Sequence, residues 1–365
     1  MYKNRNSQKG LNILPNTSTA ELLLAHYKKY PHLQVRDVFK FIHQSAFGCE
    51  HLVSDAQLTT ERIKSEFASL QAVATDLVEP LDGDFCRVHL QILNSGLLPE
   101  TLGKLFMLSA VPVKNAAAEV QKKLQVLLSL CENGLLPFSV AEIQAEISAW
   151  QQKDFCACRH SDIFREHYAP AYRVIKKEYA ELLPLLAKID SFNHKETLHI
   201  AIDGGAASGK TTLASLLAQL YDCTVFHMDD FFLRPEQRTP ERFAEVGGNV
   251  DRERFLQEVL LPLSQGQTVQ YRRFDCGTFT LQDAVEIDPK RIRITEGSYS
   301  CHPDLFPFYD LTVFLDIAPE KQKQRILKRN GAEWGQRFFD EWIPPENTYF
   351  DKTDIRNRCN IIIKP

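Results

Sequence analysis

The sequence predicts a multi-domain protein in which an all-α region, residues 1–193, precedes an α/β region, residues 194–365, built on a mostly parallel sheet wrapped by helices. Apolar residues at helical spacing dominate the first region, whereas short apolar strands alternate with helices from Thr197 onward. A chain of 365 residues also exceeds the usual size of one hydrophobic core, so two domains are expected. The polar stretch Ser191–Glu196 is the predicted link between them.

The first region is predicted to be helical throughout. Ser18 and Glu21 have the spacing of a capping box and mark the start of a helix that ends at Pro31. Helical periodicity predicts further helices over residues 35–47, 55–70, 99–110, 115–132, 139–152 and 171–189.

The second region has the pattern of a parallel sheet. Its apolar strands are predicted at 197–203, 224–228, 291–295, 311–316 and 359–363. Sheets of this kind hold ligands at the carboxyl ends of their strands. The more irregular segment Gln267–Leu281 is predicted to form a β-ribbon beside the substrate pocket, which makes Tyr271 and Arg273 candidate substrate-binding residues.

A phosphate-binding motif follows the first strand of the second region. Gly204, Gly209, Lys210 and Thr211 have the P-loop spacing G-x-x-x-x-G-K-S/T between a strand and a helix. The glycines let the backbone curl around a phosphate, the lysine can bridge the β- and γ-phosphates, and the threonine hydroxyl can bind Mg²⁺. The candidate nucleotide-binding residues are Gly204, Gly205, Ala206, Ala207, Ser208, Gly209, Lys210, Thr211 and Thr212.

Acidic residues stand at two other strand ends. Asp229 and Asp230 follow the second strand, and Asp229 is the candidate general base for an acceptor hydroxyl. Glu296 follows the third strand in a Walker-B-like position, where it can hold the hydration shell of Mg²⁺ together with Thr211. Helix caps or turn carboxylates are the alternative interpretation of these acids.

A basic helix is predicted over Pro319–Asn330. Arg325 and Arg329 lie four residues apart and share a face of this helix. They are therefore candidates to bring positive charge to a transferring phosphate. A solvated charged face is the alternative.

The motifs GGAASGKTT, MDDFF and EGSY, followed by the basic helix, resemble the uridine kinase and phosphoribulokinase-type P-loop kinases in content and order over about residues 197–365. This resemblance implies that ATP and Mg²⁺ are used to phosphorylate a hydroxyl of a small nucleoside-like or sugar-like acceptor. It implies that Asp229 is the base, that Glu296 lies near the metal and that Asp251 holds ribose hydroxyls. Because FDCGTFT stands where pyrimidine-specific members have a His-rich stretch, the resemblance does not extend to uridine as the acceptor.

Two other functions stay open from the sequence. One is a P-loop kinase of another acceptor, such as a nucleotide, pantothenate or a sugar acid. The other is a regulatory NTPase switch whose helical domain senses a ligand. Acceptor-dependent release of ADP distinguishes the kinases from the switch.

Polar clusters in the first region have no role in this scheme. They are Phe41–Gln44, Gly48–His51, Cys156–Ser161, His167 and Tyr172–Arg173. The spacing of Cys156, Cys158 and His160, and of Cys49 and His51, does not suit the usual zinc sites. Buried polar groups are the first interpretation of these clusters, and a second small-molecule pocket, marked by convergence of the side chains, is another.

Composition restricts the partners. A net charge of −4 argues against a general nucleic-acid binder, and the sequence has no apolar run long enough to cross a bilayer. Nine cysteines and an N-terminus without an apolar signal core predict a cytoplasmic protein. We expect a small-molecule acceptor as partner, no nucleic acid and no membrane, with a homo-oligomer left open.

Overall fold

The computed structural model describes residues 18–49, 55–70 and 76–365. The chain divides into two compact units, Met1–Asn193 and His194–Pro365.

The first unit is mainly helical. Its elements are α1 (Thr19–Lys29), α2 (Val35–Phe47), α3 (Ala56–Ala68), β1 (Val78–Pro80), β2 (Phe85–His89), α4 (Pro99–Ser109), α5 (Ala116–Glu132), α6 (Val140–Gln151), α7 (Asp162–Tyr168), β3 (Tyr172–Lys176), α8 (Lys177–Ala180) and α9 (Leu183–Asp190). The predicted capping box of α1 is confirmed, because Glu21 N–H donates to Ser18 Oγ at 3.3 Å and Ser18 N–H donates to Glu21 Oε2 at 2.9 Å. The predicted bounds of α2 are also confirmed.

The prediction of an all-α first region is wrong. The strands β1, β2 and β3 form an antiparallel sheet in that order, with Val78 opposite Val88 and Cys86 opposite Ile175. The predicted helix over residues 171–189 is divided into β3, α8 and α9. The strand β2 is buried from Phe85 to Val88, so its sequence lacks the alternation that marks a half-exposed strand.

The second unit contains a parallel sheet with helices. Its elements are β4 (Leu198–Gly204), α10 (Lys210–Leu220), β5 (Cys223–His227), α11 (Pro240–Ala244), α12 (Arg252–Phe255), α13 (Leu261–Ser264), β6 (Val269–Asp275), β7 (Thr280–Ile287), β8 (Ile292–Glu296), β9 (Leu311–Leu315), α14 (Pro319–Arg337), α15 (Ile343–Thr353), α16 (Ile355–Arg358) and β10 (Ile361–Ile363).

The five-stranded sheet has the order β10-β9-β4-β8-β5, and every neighbouring pair is parallel. The predicted α/β class of this region is therefore confirmed. The central strands β4, β8 and β9 are buried along their whole length, which explains their continuous apolar sequences. Register places Glu296, the last residue of β8, opposite Ile202 of β4 and opposite His227 of β5.

Two further predictions concern elements around the sheet. The predicted β-ribbon is confirmed as the antiparallel hairpin of β6 and β7, in which Val269 lies opposite Ile287. The basic helix is confirmed as the first part of α14. Gly331, with φ of 77° and ψ of 176°, interrupts the helical backbone just after the predicted end.

Candidate active site

The glycine-rich turn joins the end of β4 to the start of α10. Gly204 has φ of 146°, and a Cβ at this position would lie 2.6 Å from the carbonyl oxygen of Leu315. Gly209, directly before α10, has φ of 104°. Both positions require glycine for these reasons. The predicted residues Gly205, Ala206, Ala207 and Ser208 lie within the turn, and Thr211 and Thr212 lie in the exposed first turn of α10.

Lys210 extends back over this turn. Its Nζ donates to the carbonyl oxygens of Gly204 and Gly205 at 2.8 and 3.0 Å, and to Ser298 Oγ at 3.3 Å. The ammonium group thus lies beside the N-terminus of α10, where free N–H groups and the helix dipole also favour an anion.

A carboxylate of the protein already binds one amide of the turn. Glu346 of α15 accepts the Ala206 N–H at 2.8 Å through Oε2 and the Ser298 hydroxyl at 2.6 Å through Oε1. Burial raises the pKa of Glu346, while the nearby Lys210 charge lowers it. The Ala206 N–H thus already donates a hydrogen bond to a negatively charged oxygen. A phosphate oxygen carries the same kind of charge, so the turn also suits a phosphate group.

The two predicted metal-binding residues lie together. Thr211 Oγ1 donates to Glu296 Oε1 at 3.2 Å. The same carboxylate oxygen lies 2.6 Å from His227 Nδ1, and this hydrogen bond raises the pKa of His227. A hydroxyl and a carboxylate are oxygen donors that suit Mg²⁺, which keeps water and phosphate oxygens as its other ligands.

The acids after β5 have different surroundings. Asp229 is exposed to solvent. The surrounding protein nevertheless excludes part of its water, and this raises the pKa of its carboxyl. The positive charge of Lys210 opposes the rise in pKa, and the negative charge of Glu296 adds to it. Asp230 Oδ2 accepts the Tyr271 hydroxyl at 3.0 Å and lies 3.4 Å from Arg273 Nε. The structure thus holds Asp230 against β6 and leaves Asp229 open to solvent near the turn.

Asp251 is buried, with 3 % of its surface exposed. Its Oδ1 accepts the Arg254 N–H at 3.1 Å, which caps α12, and its Oδ2 accepts Gln237 Nε2 at 2.9 Å. A role of Asp251 in holding acceptor hydroxyls stays a prediction, as does that of Tyr271 and Arg273.

The two candidate arginines of α14 are separated by their contacts. Arg325 Nη1 donates to the carbonyl oxygens of Ala207 and Ser208 at 3.2 and 3.1 Å, so it reaches the phosphate-binding turn. Arg329 bonds to Asn330 Oδ1 at 2.9 Å, and its guanidinium lies 5.4 Å from the centre of the Phe338 ring. Of the two, Arg325 is the one that contacts the site.

Asp203 is a site residue that sequence reasoning missed. It is fully buried at the end of β4, and burial raises its pKa. Its Oδ1 accepts the N–H groups of Gly204 and Tyr299 at 2.7 and 3.2 Å. Its Oδ2 accepts Cys301 N–H at 2.9 Å and the Tyr349 hydroxyl at 2.8 Å. Asp203 therefore joins the turn to the loop after β8 and to α15.

These features together define a P-loop nucleotide-binding region. The glycine-rich turn follows a central parallel strand, a lysine and a threonine stand at its end, and an acid lies on the adjacent strand.

No protein-family model matches the chain. Among known proteins, the bifunctional α-galactosidase/sucrose kinase AgaSK of Mediterraneibacter gnavus is 27% identical over 230 residues, which are 55% of this chain and 24% of that protein. Uridine kinase-like protein 4 of Arabidopsis thaliana is 29% identical over 176 residues, 42% of this chain and 37% of that protein.

Among solved structures, that of a possible uridine kinase from Bacillus stearothermophilus has a TM-score of 0.40 and 23% identity, and covers 49% of this chain and 95% of that one. The chain spans only about a quarter to two fifths of the length of the curated relatives it matches. The matches to uridine kinase-like proteins cover about half of this chain and are consistent with a uridine kinase-type P-loop kinase region. In the part of the chain that the structure describes, no helix has the length and apolar character needed to span a membrane.

Proposed function

We propose that the protein transfers a phosphoryl group from ATP to a hydroxyl of a small nucleoside-like or sugar-like acceptor. The observation that carries this proposal is the position of Asp229. It is an open carboxylate after β5, within electrostatic reach of both Lys210 and Glu296. A phosphate-binding turn alone would serve an NTPase equally well, whereas a free carboxylate beside it supports proton removal from an acceptor.

Bound ATP with Mg²⁺ supplies an activated phosphoryl group whose charge the metal partly neutralises. The amides of the turn and Lys210 would hold the phosphates, and Thr211 with Glu296 would hold the metal through oxygen atoms. Arg325, whose guanidinium contacts the turn, would add positive charge at the transferring group.

Asp229 would act on the acceptor. Burial raises the pKa of Asp229, which makes its carboxylate a better proton acceptor than that of an ordinary aspartate. The next residue, Asp230, is bonded to Tyr271 and lies close to Arg273. These three side chains would line the side of the site where the acceptor binds.

The proposed acceptor is rich in hydroxyl groups. One relative is named as a sucrose kinase and others as uridine kinase-like, which supports a sugar or a nucleoside. The proposed location is the cytoplasm, and the nine cysteines, all present as free thiols, support a reducing compartment.

The test is a screen of nucleosides, sugars, sugar acids and pantothenate for stimulation of ADP release. We expect one class to stimulate release strongly. In that assay Lys210→Ala should lower kcat by at least about a hundredfold, because the lysine carries transition-state charge and is not part of the core. Lys290→Ala, which removes an exposed lysine of the same unit, is the matched control. Slow ADP release that no acceptor stimulates would instead identify a regulatory NTPase.

A further inference from the structure

Three of the polar clusters of the first unit contribute a side chain to one hydrogen-bonded network. Asp37 Oδ1 lies 2.8 Å from His160 Nδ1, and Tyr172 Oη lies 2.7 Å from His160 Nε2. Gln44 Nε2 lies 3.4 Å from Tyr172 Oη, and Gln44 Oε1 accepts Arg87 Nε–H at 2.9 Å. Because the Asp37 carboxylate can only accept, His160 donates from Nδ1 and its Nε2 accepts the tyrosine proton. Gln44, His160 and Tyr172, one from each of three clusters, therefore meet in this network, whereas Cys49 donates to the Phe106 carbonyl and Arg173 pairs with Glu66.

An open cavity of about 420 Å³ lies beside this network. Its described lining contains three cationic side chains and no carboxylate: Lys40, Arg159, His160, Arg165, Ala169 and Pro170. The volume falls within the range of sites for small organic molecules, which is roughly 300 to 1,000 Å³. The cavity thus has both the size and the charge of a site for an organic anion.

The cations at this cavity are only weakly neutralised by the protein. Lys40 Nζ donates to the uncharged carbonyl oxygen of Cys158 at 3.0 Å, and burial lowers the pKa of this lysine. Arg165 Nη1 lies 3.8 Å from Asp162 Oδ1, in a pair whose acid is 90% exposed. Asp37 is the buried acid nearby; its oxygens accept hydrogen bonds from His160, Ser161 and the backbone, and its charge opposes the effect of burial on the pKa of Lys40 without a direct ion pair to it.

His160 forms a fixed, neutral wall of the cavity. Both ring nitrogens are hydrogen-bonded, and the ring stacks on Phe164 with centroids 4.2 Å apart and an interplanar angle of 4°. Burial lowers the pKa of His160 to about 4, so the ring is uncharged at neutral pH. The ring therefore serves neither as a metal ligand nor as a free base here. Cys49 is buried, and its suggested partner His51 lies outside the described residues.

We propose that this cavity binds a small organic anion through a phosphate or carboxylate group held by Lys40, Arg159 and Arg165. A guanidinium can bind either group with two parallel hydrogen bonds, and the ammonium group adds a point charge. The cavity is larger than one such group, so the rest of the ligand packs against His160, Ala169 and Pro170. The site lies within the first unit and does not depend on the function proposed for the second.

Equilibrium dialysis with ³²P-labelled inorganic phosphate tests this site. The full chain carries Lys210→Ala throughout, which weakens phosphate binding at the P-loop. In this background Lys40→Met and Arg159→Met should each weaken phosphate binding by about tenfold, the effect of removing one charged hydrogen bond. Arg159 is exposed, so its replacement leaves the fold intact. Lys153→Met removes an exposed lysine of the same unit outside the cavity and should change nothing.

Competition then identifies the recognised group. Glucose 6-phosphate and citrate are each added at constant ionic strength, with potassium chloride as the reference. Displacement of the labelled phosphate by only the phosphomonoester identifies a phosphate site, and displacement by citrate identifies a site that also takes carboxylates. Phosphate binding that is equal in Lys40→Met, Arg159→Met and Lys153→Met would overturn the proposal. The proposal would also be overturned if chloride displaced the labelled phosphate as effectively as glucose 6-phosphate or citrate does.

Discussion

The two neighbouring carboxylates after β5 have different partners, and this difference predicts different roles. Asp229 is open to solvent near Lys210, whereas Asp230 is held by Tyr271 and Arg273. We expect Asp229→Asn to lower acceptor-dependent ADP release by about a hundredfold or more and to leave ATP affinity nearly unchanged, because it removes only the proton acceptor. Asp230→Asn, the matched control, should cost less than about tenfold. Equal losses in both variants would identify Asp229 as a structural or metal-binding residue.

Glu346 places a negative charge where phosphate oxygens are expected. The Glu346→Gln variant keeps one side-chain oxygen that can accept a hydrogen bond from the Ala206 N–H or the Ser298 hydroxyl, but it removes the negative charge of the carboxylate. We expect ATP affinity to rise by about fivefold, the effect of one like charge at short range in a partly wet site. Calorimetric titration measures the change, and Glu320→Gln, an exposed acid on α14, is the control.

The pH dependence provides a second readout for Glu346. Its raised pKa means that the carboxyl takes up a proton at a higher pH than an ordinary glutamate does. The wild-type affinity for ATP should therefore approach that of the Gln variant as the pH is lowered from neutral. A difference between the two proteins that stays constant with pH would show that the charge of Glu346 does not act on the nucleotide.

Which site residues the sequence reveals depends on how far apart they lie in the chain. The turn residues from Gly204 to Thr212 could be predicted because one contiguous motif contains the whole cradle. Glu346 lies 140 residues from the amide that it binds, and Asp203 lies 146 residues from Tyr349. Such contacts form only when α15 packs against the sheet. A pattern of neighbouring residues in the sequence therefore cannot predict them.

At the scale of elements, the helices and the parallel strands were predicted far better than the small antiparallel sheet. The strands β4, β8 and β9 are apolar runs bounded by polar turns, and their burial on both faces confirms that interpretation. The strand β3 contains Val174 and Ile175 next to each other within a stretch of helical periodicity. Only its pairing with β2 makes it a strand, so long-range contact overrides the local pattern.

His160 connects two such elements, since it bonds to Asp37 of α2 and Tyr172 of β3. The folded protein keeps the ring neutral with a pKa of about 4, whereas the unfolded chain protonates it near pH 6.5. The unfolded state therefore binds more protons between these values, and stability falls as the pH decreases from 6.5 to 4. Between these pH values His160 alone changes the free energy of unfolding by about 1 kcal/mol per pH unit.

Urea unfolding at a series of pH values measures this slope. His160→Gln should be less stable than wild type at neutral pH but should lose less stability between pH 6.5 and 4. His167→Gln, which removes an exposed histidine of the same unit, should keep the wild-type slope. A slope that is equal in wild type and His160→Gln would mean that His160 becomes protonated within the folded protein.

At the scale of the whole molecule, the chain combines a P-loop region that is similar to uridine kinase-like proteins with a second compact unit of different architecture. The proposed roles of the two units, phosphoryl transfer and anion binding, rest on separate residues. Each can therefore be removed by substitution while the other is measured in the same full-length protein.

The most direct test of the proposed transfer follows the phosphoryl group itself. The protein is incubated with ATP labelled with ³²P at the γ-position, Mg²⁺ and the best acceptor from the screen, and the products are separated. We expect the label on the acceptor as an acid-stable phosphate ester, in a one-to-one ratio with ADP, and its loss in Asp229→Asn. Label recovered only as inorganic phosphate, in amounts that do not depend on the acceptor, would contradict kinase function.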